Sequence, residues 1–361
     1  MLKFLINSIL ILFGLSVSTA QAKSATYSGN PFNDPGVTSN WMHRESKYNG
    51  IDLFKAYNHF GQKPSQEIIV AIIDTGVDFN HEDLRDNMWT NSGEIPNNAI
   101  DDDNNGYIDD VYGINTLNRN SQGQATGDVF DQHLHGTLSA GVIAAKQNNK
   151  KGIAGIASHV KIMALKAIPS EGDEKDKDVA EALLYAAKNG AKIINCSFGK
   201  RSLDSGTLLG DTLELIAEKY GVLVVTAAGN YSNNLDQFPI YPASLKNDNL
   251  IVVTAINQNG DLASFANYGP KDIDVAAPGV DIYTTLPNSK YGFYYGTSIA
   301  TPVVTGIAAE IWSKFKDLNY KELKSILIKS SVPTKKLRAK IFSGAQVNLY
   351  NALVEAEKYA K

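Results

Sequence analysis

The chain has 361 residues, with 34 Lys and Arg against 38 Asp and Glu, a formal net charge of −4, and a single Cys. Without a basic excess we expect no nucleic-acid partner, since such binding needs a Lys and Arg surface that neutralises phosphates. One cysteine excludes an internal disulfide and any zinc site built from several cysteines. Hydrophobic residues at 43% and charged residues at 20% are typical of a globular chain.

The N-terminus has the pattern of a secretory signal peptide. Residues 1–3 form a short positive start, residues 4–17 are mostly apolar, and residues 20–22 have the A-x-A form of a cleavage site. The apolar run is shorter than the roughly 20 residues that a membrane-spanning helix needs. We predict a signal peptide over 1–22, cleaved near Ala22, and a protein secreted to the periplasm or the cell exterior with no membrane span after signal removal.

Alternating strand and helix patterns follow a polar segment at 23–50, which is rich in Asn, Ser, Gly and Pro and predicts an extended N-terminal arm. Apolar, β-branched runs predict buried strands. They lie at 68–73, 160–167, 192–197, 221–227, 250–255 and 273–276. Helical spacing predicts helices at 178–189 and 207–220 and a longer apolar helix at 298–315.

Strands that alternate with helices of this length indicate βαβ units and a parallel sheet. We therefore predict an α/β, doubly wound three-layer fold with a mostly parallel central sheet. Residues 51–361 contain no internal repeat and no low-complexity linker, so we expect them to form one domain, although roughly 300 residues exceeds the usual domain size. We expect a monomer.

Three polar residues stand at the ends of predicted elements. Asp74 ends the first strand, where open α/β sheets place their functional sites. His135 lies in the first turn of a segment rich in small residues, and Ser298 opens the long apolar helix. Each is flanked by Gly and Thr. A single such motif is an ordinary turn, but Asp, His and Ser together are the groups of a serine nucleophile with its base.

These motifs resemble those of the subtilases, the subtilisin-like serine proteases. The matching segments are Asp74-Thr75-Gly76, His135-Gly136-Thr137, Ala227-Ala228-Gly229-Asn230 and Gly296-Thr297-Ser298-Ile299-Ala300-Thr301-Pro302. The order Asp, His, Ser differs from the orders in chymotrypsin and in α/β-hydrolases. The resemblance runs from about residue 40 to residue 355. It implies a subtilisin-like fold and a serine endopeptidase that hydrolyses peptide bonds through an acyl-enzyme intermediate.

The resemblance also implies a role for each of these side chains. Ser298 is the expected nucleophile, and His135 is the base that takes its proton and returns it to the leaving amine. Asp74 is expected to hold the imidazole in the required tautomer. The side chain of Asn230 and the backbone N–H of Ser298 are the expected donors to the oxyanion.

Two further segments resemble the substrate-binding walls of the family, which implies a protein or peptide substrate. They consist of Ser197, Phe198 and Gly199 in one wall and Ala227, Ala228 and Gly229 in the other. The first is expected to pair with the substrate backbone by strand addition. Neither segment holds a carboxylate, so we expect an apolar preference. Cys196, inside an apolar strand, is expected to be a buried core residue.

An acidic loop at 101–110 suggests a structural calcium ion. Asp101, Asp103, Asn105 and Asp109 fit the opening and the ninth position of a calcium loop. The twelfth position is Tyr112 rather than a bidentate Glu, so the loop is not a complete EF-hand. A solvated Asp/Asn/Gly turn is the alternative.

Other histidine and acidic side chains offer weaker sites. Asp83 and Asn149 form a second calcium candidate of the family type. His133, with its neighbours Asp131 and His135, suggests a metal cluster, but the i, i+4 histidine pair of helical zinc sites is absent. We therefore expect His133 to be a loop residue.

Two other classes of protein compete with the endopeptidase. A catalytically inactive, subtilase-like, calcium-dependent binding protein is one alternative, and the presence of all four catalytic residue types argues against it. An esterase or lipase is the other, and the missing G-x-S-x-G turn and the chain order argue against it.

Overall fold

A ten-stranded sheet lies at the centre of the structure, a computed structural model that describes residues 29–359. The predicted signal peptide, residues 1–22, lies outside the described residues. In chain order the strands are β1 (Ile68–Asp74), β2 (Asn115–Arg119), β3 (Ala125–Thr126), β4 (Val160–Lys166), β5 (Ile193–Cys196), β6 (Leu223–Ala227), β7 (Leu250–Ile256), β8 (Val275–Pro278), β9 (Ile282–Leu286), β10 (Lys290–Tyr294), β11 (Val332–Pro333) and β12 (Ala345–Gln346).

The strand order is β11-β12-β8-β7-β6-β5-β1-β4-β2-β3, and all neighbouring pairs are parallel except the two outermost, β11 with β12 and β2 with β3. Strand β1 lies between β4 and β5, so the chain winds outward from β1 in both directions. This is the doubly wound arrangement that the alternating sequence pattern predicts, and it is confirmed. β9 and β10 form a separate antiparallel hairpin.

Seven α-helices lie within residues 29–359. They are α1 (Leu53–Phe60), α2 (His135–Ala144), α3 (Asp176–Lys188), α4 (Leu208–Tyr220), α5 (Thr297–Lys314), α6 (Tyr320–Lys329) and α7 (Leu349–Glu357). α3 packs on α4 on one side of the sheet, and α2 packs on α5 on the other. The three predicted helices correspond to α3, α4 and α5 with ends that agree within two residues. The sequence pattern does not predict α1, α6, α7, the hairpin or the short edge strands.

Helix α5 lies in the interior. It contacts β1, β5, β6, β7 and β8 as well as α2, and all of its residues except Ser298 and Lys314 are buried. Such all-round burial requires apolar residues on every face of the helix. No helix among residues 29–359 combines the length and the apolar character that crossing a membrane requires.

The segment at 29–50 is not extended, in contrast to the sequence-based expectation. It forms three short 3₁₀ helices and buries Val37, Trp41 and Met42 against the core. The indole N–H of Trp41 donates to the carbonyl of Val280 at 2.8 Å. These apolar side chains, scattered in a polar segment, fold it back because their burial removes apolar surface from water.

Candidate active site

The four residues with expected catalytic roles stand where strands end and helices begin. Asp74 is the last residue of β1, and Asn230 lies three residues beyond the end of β6. His135 is the first residue of α2, and Ser298 is the second residue of α5. The carboxyl ends of parallel strands share one edge of the sheet, so this topology brings residues from distant parts of the chain to one edge.

Asp74 and His135 form a charge-assisted pair. The Nδ1 atom of His135 lies 2.8 Å from Oδ1 and 3.0 Å from Oδ2 of Asp74, which is 1% exposed. Gly136 permits this contact, because a Cβ there would lie 1.9 Å from the carbonyl oxygen of Gly76. The bond to Nδ1 leaves the other ring nitrogen, Nε2, to accept a proton.

The pKa of His135 is raised above its ordinary value of 6.5. Burial lowers this pKa, but the negative charge and the hydrogen bond of Asp74, together with the charge of Asp131, raise it by more. The imidazole therefore holds a proton more tightly than a free histidine does.

A buried carboxylate, Asp131, fixes the backbone beside this histidine. It accepts hydrogen bonds from Thr75 Oγ1, from the N–H groups of His133 and Leu134, and from both N and Oγ1 of Thr137. Leu134 has φ of 130°, a strained backbone for a leucine, and such strain persists only where the surroundings enforce it. The sequence pattern suggests Asp131 only as part of a metal cluster. The structure makes it a positioning group.

Ser298 projects into a space that Gly296 keeps open. A Cβ on Gly296 would lie 2.8 Å from Ser298 Oγ and 3.6 Å from both Ser298 N and Asn230 Nδ2. The hydroxyl and the two expected oxyanion donors therefore converge on one small volume. Within residues 29–359 the structure assigns no hydrogen bond between Ser298 Oγ and His135, and such bonds are often long before substrate binds.

The amide of Asn230 is oriented by Thr297. Both N and Oγ1 of Thr297 donate to Asn230 Oδ1, at 2.9 and 2.8 Å, and Thr297 Oγ1 accepts from the N–H of Gly229. With Oδ1 occupied, Nδ2 remains to donate to an anion.

A buried amide, that of Asn267, holds the loop that carries Asn230. Asn267 donates to the carbonyl of Ala228 and accepts from the N–H groups of Tyr231 and Asn233. Its own N–H donates to the carbonyl of Gly229 at 3.0 Å. The sequence pattern alone gives no signal for this role of Asn267.

The hairpin before Ser298 is tied to the helix that begins with His135. Thr284 Oγ1 and Thr285 Oγ1, in β9, donate to the carbonyl oxygens of Leu138 and Thr137, in α2, at 2.8 and 2.7 Å. The chain segments that carry the two groups are thereby held together by side-chain contacts that have no local sequence signature.

The two predicted substrate walls follow adjacent strands. Residues 197–199 follow β5, and residues 227–229 include the end of β6. Just beyond the first wall, Lys200 exchanges backbone hydrogen bonds with Tyr241, at 3.0 and 2.8 Å. Cys196, at the end of β5, is buried as predicted.

The acidic loop differs in detail from the prediction. Asp101 and Asp103 approach Glu94, and one carboxylate oxygen of each lies within 4.8 Å of the others. Asp109 is directed away, because its oxygens accept from the backbone N–H groups of residues 98 and 99. Asn105 donates its side-chain amide to Asp103 and Asp110. The oxygen cluster is therefore Glu94 with Asp101 and Asp103, and Asp109 is excluded from it.

The structure also brings together the residues of the second candidate calcium site. Asn149 Nδ2 donates to Asp83 Oδ1 at 2.6 Å, and the carboxylate of Asp34 accepts from the N–H groups of Asn148 and Asn149. Burial raises the pKa of both Asp34 and Asp83. Among the residues that the structure describes, His133 does not belong to a group of acidic and histidine side chains that lie close enough to bind one metal ion.

The chain belongs to the subtilase family of serine peptidases, because the family model matches residues 65–349. It is 34% identical over 306 residues to subtilisin-like protease 1 of Plasmodium berghei, an alignment that covers 80% of this chain and 49% of that protein. The chain thus spans about half the length of that relative.

Two further relatives are shorter. A thermophilic serine proteinase of Bacillus sp. (strain AK1) is 34% identical over 310 residues, which cover 83% of this chain and 68% of that protein. Among solved structures, a protease of Pseudoalteromonas arctica superposes with a TM-score of 0.68 and 27% identity over 90% of this chain and 99% of that one. The subtilisin-like fold expected from the sequence is confirmed.

The open volume beside Gly296 is testable by substitution. In Gly296→Ala the new Cβ lies too close to Ser298 Oγ, and the backbone φ of 146° at this position is strained for an alanine. We expect labelling of Ser298 by a fluorophosphonate probe to slow roughly 100-fold or more, as for loss of an oxyanion donor. Gly210→Ala, in α4, is the matched control, since its Cβ has nothing nearer than 4.0 Å. Equal labelling rates in the two variants would contradict the assignment.

Proposed function

We propose that this chain is a secreted serine endopeptidase that cleaves proteins or peptides through an acyl-enzyme intermediate. One observation carries the proposal: an Asp74–His135 pair lies at the same sheet edge as a small open volume onto which Ser298 Oγ, Ser298 N and Asn230 Nδ2 converge. The membership of the subtilase family and the names of its relatives support the same reaction.

In the proposed first step Ser298 Oγ attacks the scissile carbonyl carbon while His135 Nε2 takes the hydroxyl proton. Asp74 holds Nδ1–H and stabilises the imidazolium that forms. The carbonyl oxygen becomes an oxyanion, and Asn230 Nδ2 and the N–H of Ser298 donate to it. When the C–N bond breaks, His135 gives its proton to the leaving amine, and the acyl group stays on Ser298.

In the second half of the reaction the same residues keep their roles, and water replaces the serine as the nucleophile. Water attacks the acyl carbon, His135 takes a water proton, and the ester bond to Ser298 breaks with return of the proton to Oγ. The fixed amide of Asn230 favours both steps, because a donor that is already oriented needs no reorganisation as the charge develops.

Substrate binding is proposed to use the two walls. The backbone of residues 197–199 adds to an extended substrate as a strand, which supplies affinity that does not depend on sequence. The side chain before the scissile bond then enters between this wall and residues 227–229. Secretion rests on the signal-peptide pattern of residues 1–22.

The nucleophile is tested by Ser298→Ala. We expect hydrolysis of casein and of a fluorogenic peptide to fall by roughly 10⁵-fold or more, because no other group takes over the covalent step. Ser121→Ala, on an exposed loop, is the control and should keep full activity. Activity that survives in Ser298→Ala would contradict the triad. A folded parent protein that hydrolyses neither substrate would favour the inactive binding protein.

The pH dependence follows from the raised pKa of His135. The base must be neutral to accept a proton, so kcat/KM should rise with pH through a midpoint above 6.5. In Asp74→Asn the attraction is lost and burial remains, so the His135 pKa should fall below its parent value. NMR titration of the imidazole in a Ser298→Ala background measures both values. A pKa that is unchanged by Asp74→Asn would exclude the proposed pairing.

We also propose that a structural calcium ion binds this protein. Three carboxylates with oxygens this close repel one another unless a cation lies among them, and calcium prefers oxygen ligands. Glu94, Asp101 and Asp103 are the residues that would hold it. Asp83 with Asn149 and Asp34 offers a second set of oxygen donors.

Calcium binding is measurable as stability. Calcium at about 100 times its Kd should stabilise the fold by about 2.7 kcal/mol, and chelation should reverse this. In the double variant Asp101→Asn with Asp103→Asn, the calcium-dependent rise in Tm should be smaller than in the parent. The rise that remains would come from the second set of oxygen donors. Asp317→Asn, which removes a single carboxylate from an exposed site outside the acidic loop, is the control. A calcium-dependent rise equal in the double variant and the parent would exclude the acidic loop as a site.

A further inference from the structure

Arg201 and Tyr231 form a contact between the ends of the two proposed substrate walls. Arg201 lies two residues beyond Gly199, and Tyr231 directly follows Asn230. The guanidinium carbon of Arg201 lies 4.8 Å from the centre of the Tyr231 ring. Both side chains are exposed, with Tyr231 42% accessible, so the contact is open to solvent next to the two proposed substrate walls.

The charge of Arg201 is not neutralised within the part of the chain that the structure describes. Its neighbour Lys200 is buried and forms ion pairs with Asp176 and Asp204, at 2.8 and 2.9 Å. Arg201 has no such carboxylate and no hydrogen bond among residues 29–359, and the Tyr231 ring is its defined partner. The guanidinium carbon lies over the ring, and the N–H groups, which have no hydrogen-bond partner among residues 29–359, are left to bind an acceptor.

The backbones that present the two side chains are anchored. Lys200 exchanges two backbone hydrogen bonds with Tyr241, and the N–H of Tyr231 donates to the buried Asn267 at 3.0 Å. A side chain held from a fixed backbone and stacked on a ring loses less freedom on binding than a mobile arginine does. The pair is therefore preorganised for a ligand.

We propose that Arg201, supported by Tyr231, selects substrates with Asp or Glu immediately before the scissile bond. This rests on the proposed function, and it revises the apolar preference expected from the sequence. A carboxylate is the group that a guanidinium binds through two parallel hydrogen bonds. The walls contain no carboxylate to repel it, and the small residues at 227–229 leave room for its side chain.

The experiment compares two fluorogenic peptides that differ only in Glu or Gln before the scissile bond. The parent protein should cleave the Glu peptide with a kcat/KM about tenfold higher, as expected for a charge-assisted pair. In Arg201→Gln the ratio should fall to about one, and in Tyr231→Leu it should fall in part, because the guanidinium loses its support. Rising NaCl should also lower the parent ratio.

Arg338→Gln is the matched control, because it removes the same charge from an exposed site at the far edge of the sheet and should leave the ratio unchanged. Equal cleavage of the two peptides by the parent, or a Glu preference that persists in Arg201→Gln, overturns this inference and leaves the proposed function unaffected. A folded parent that cleaves neither peptide overturns the proposed function and this inference with it. Mass spectrometry of the products verifies that cleavage follows the varied residue.

Discussion

Helix α5 crosses the face of the sheet against five strands, and only Ser298 and Lys314 among its residues escape burial. A helix packed on every side cannot shift along its axis without opening cavities, and cavities in a dense core cost several kcal/mol. The first turn of α5 is therefore fixed relative to β5 and β6. Ser298 occupies that turn, so the packing of the core sets the position of the hydroxyl.

The neighbouring groups are fixed by hydrogen bonds of buried polar side chains rather than by apolar packing. Asp131 orders the turn before His135, Thr297 orients the amide of Asn230, and Asn267 holds the loop around it. Each of these buried groups has partners, and a network with all its members satisfied is rigid as well as stable. The strained backbone at Leu134 is maintained in this setting. The site thus combines one element fixed by apolar packing with several loops fixed by polar contacts.

The sequence is sufficient to predict the central sheet and the helices between its strands, and it places the residues with expected catalytic roles at the ends of these elements, because each has a local signature. Buried parallel strands are short β-branched runs, and the helices show apolar spacing. The positioning residues lack such a signature, since Asp131 and Asn267 act through contacts that form only in the folded chain. For the same reason the acidic loop was assigned in part to Asp109, whereas the third carboxylate of the cluster is Glu94, which lies before the loop in sequence. The segment at 29–50 depends on distant partners such as Val280 and shows the same limit.

The single cysteine allows local opening of the central sheet to be measured. Cys196 is 1% exposed and sits between Ile73 of β1 and Thr226 of β6, and burial raises the pKa of its thiol well above the ordinary value. The thiolate is the nucleophile that attacks a thiol reagent, so modification requires that the centre of the sheet first separates and admits water. With one thiol in 361 residues, the rate of its modification measures the frequency of that separation without any engineered label. Modification of this one sulfur atom therefore reports how often the central strands of the sheet separate.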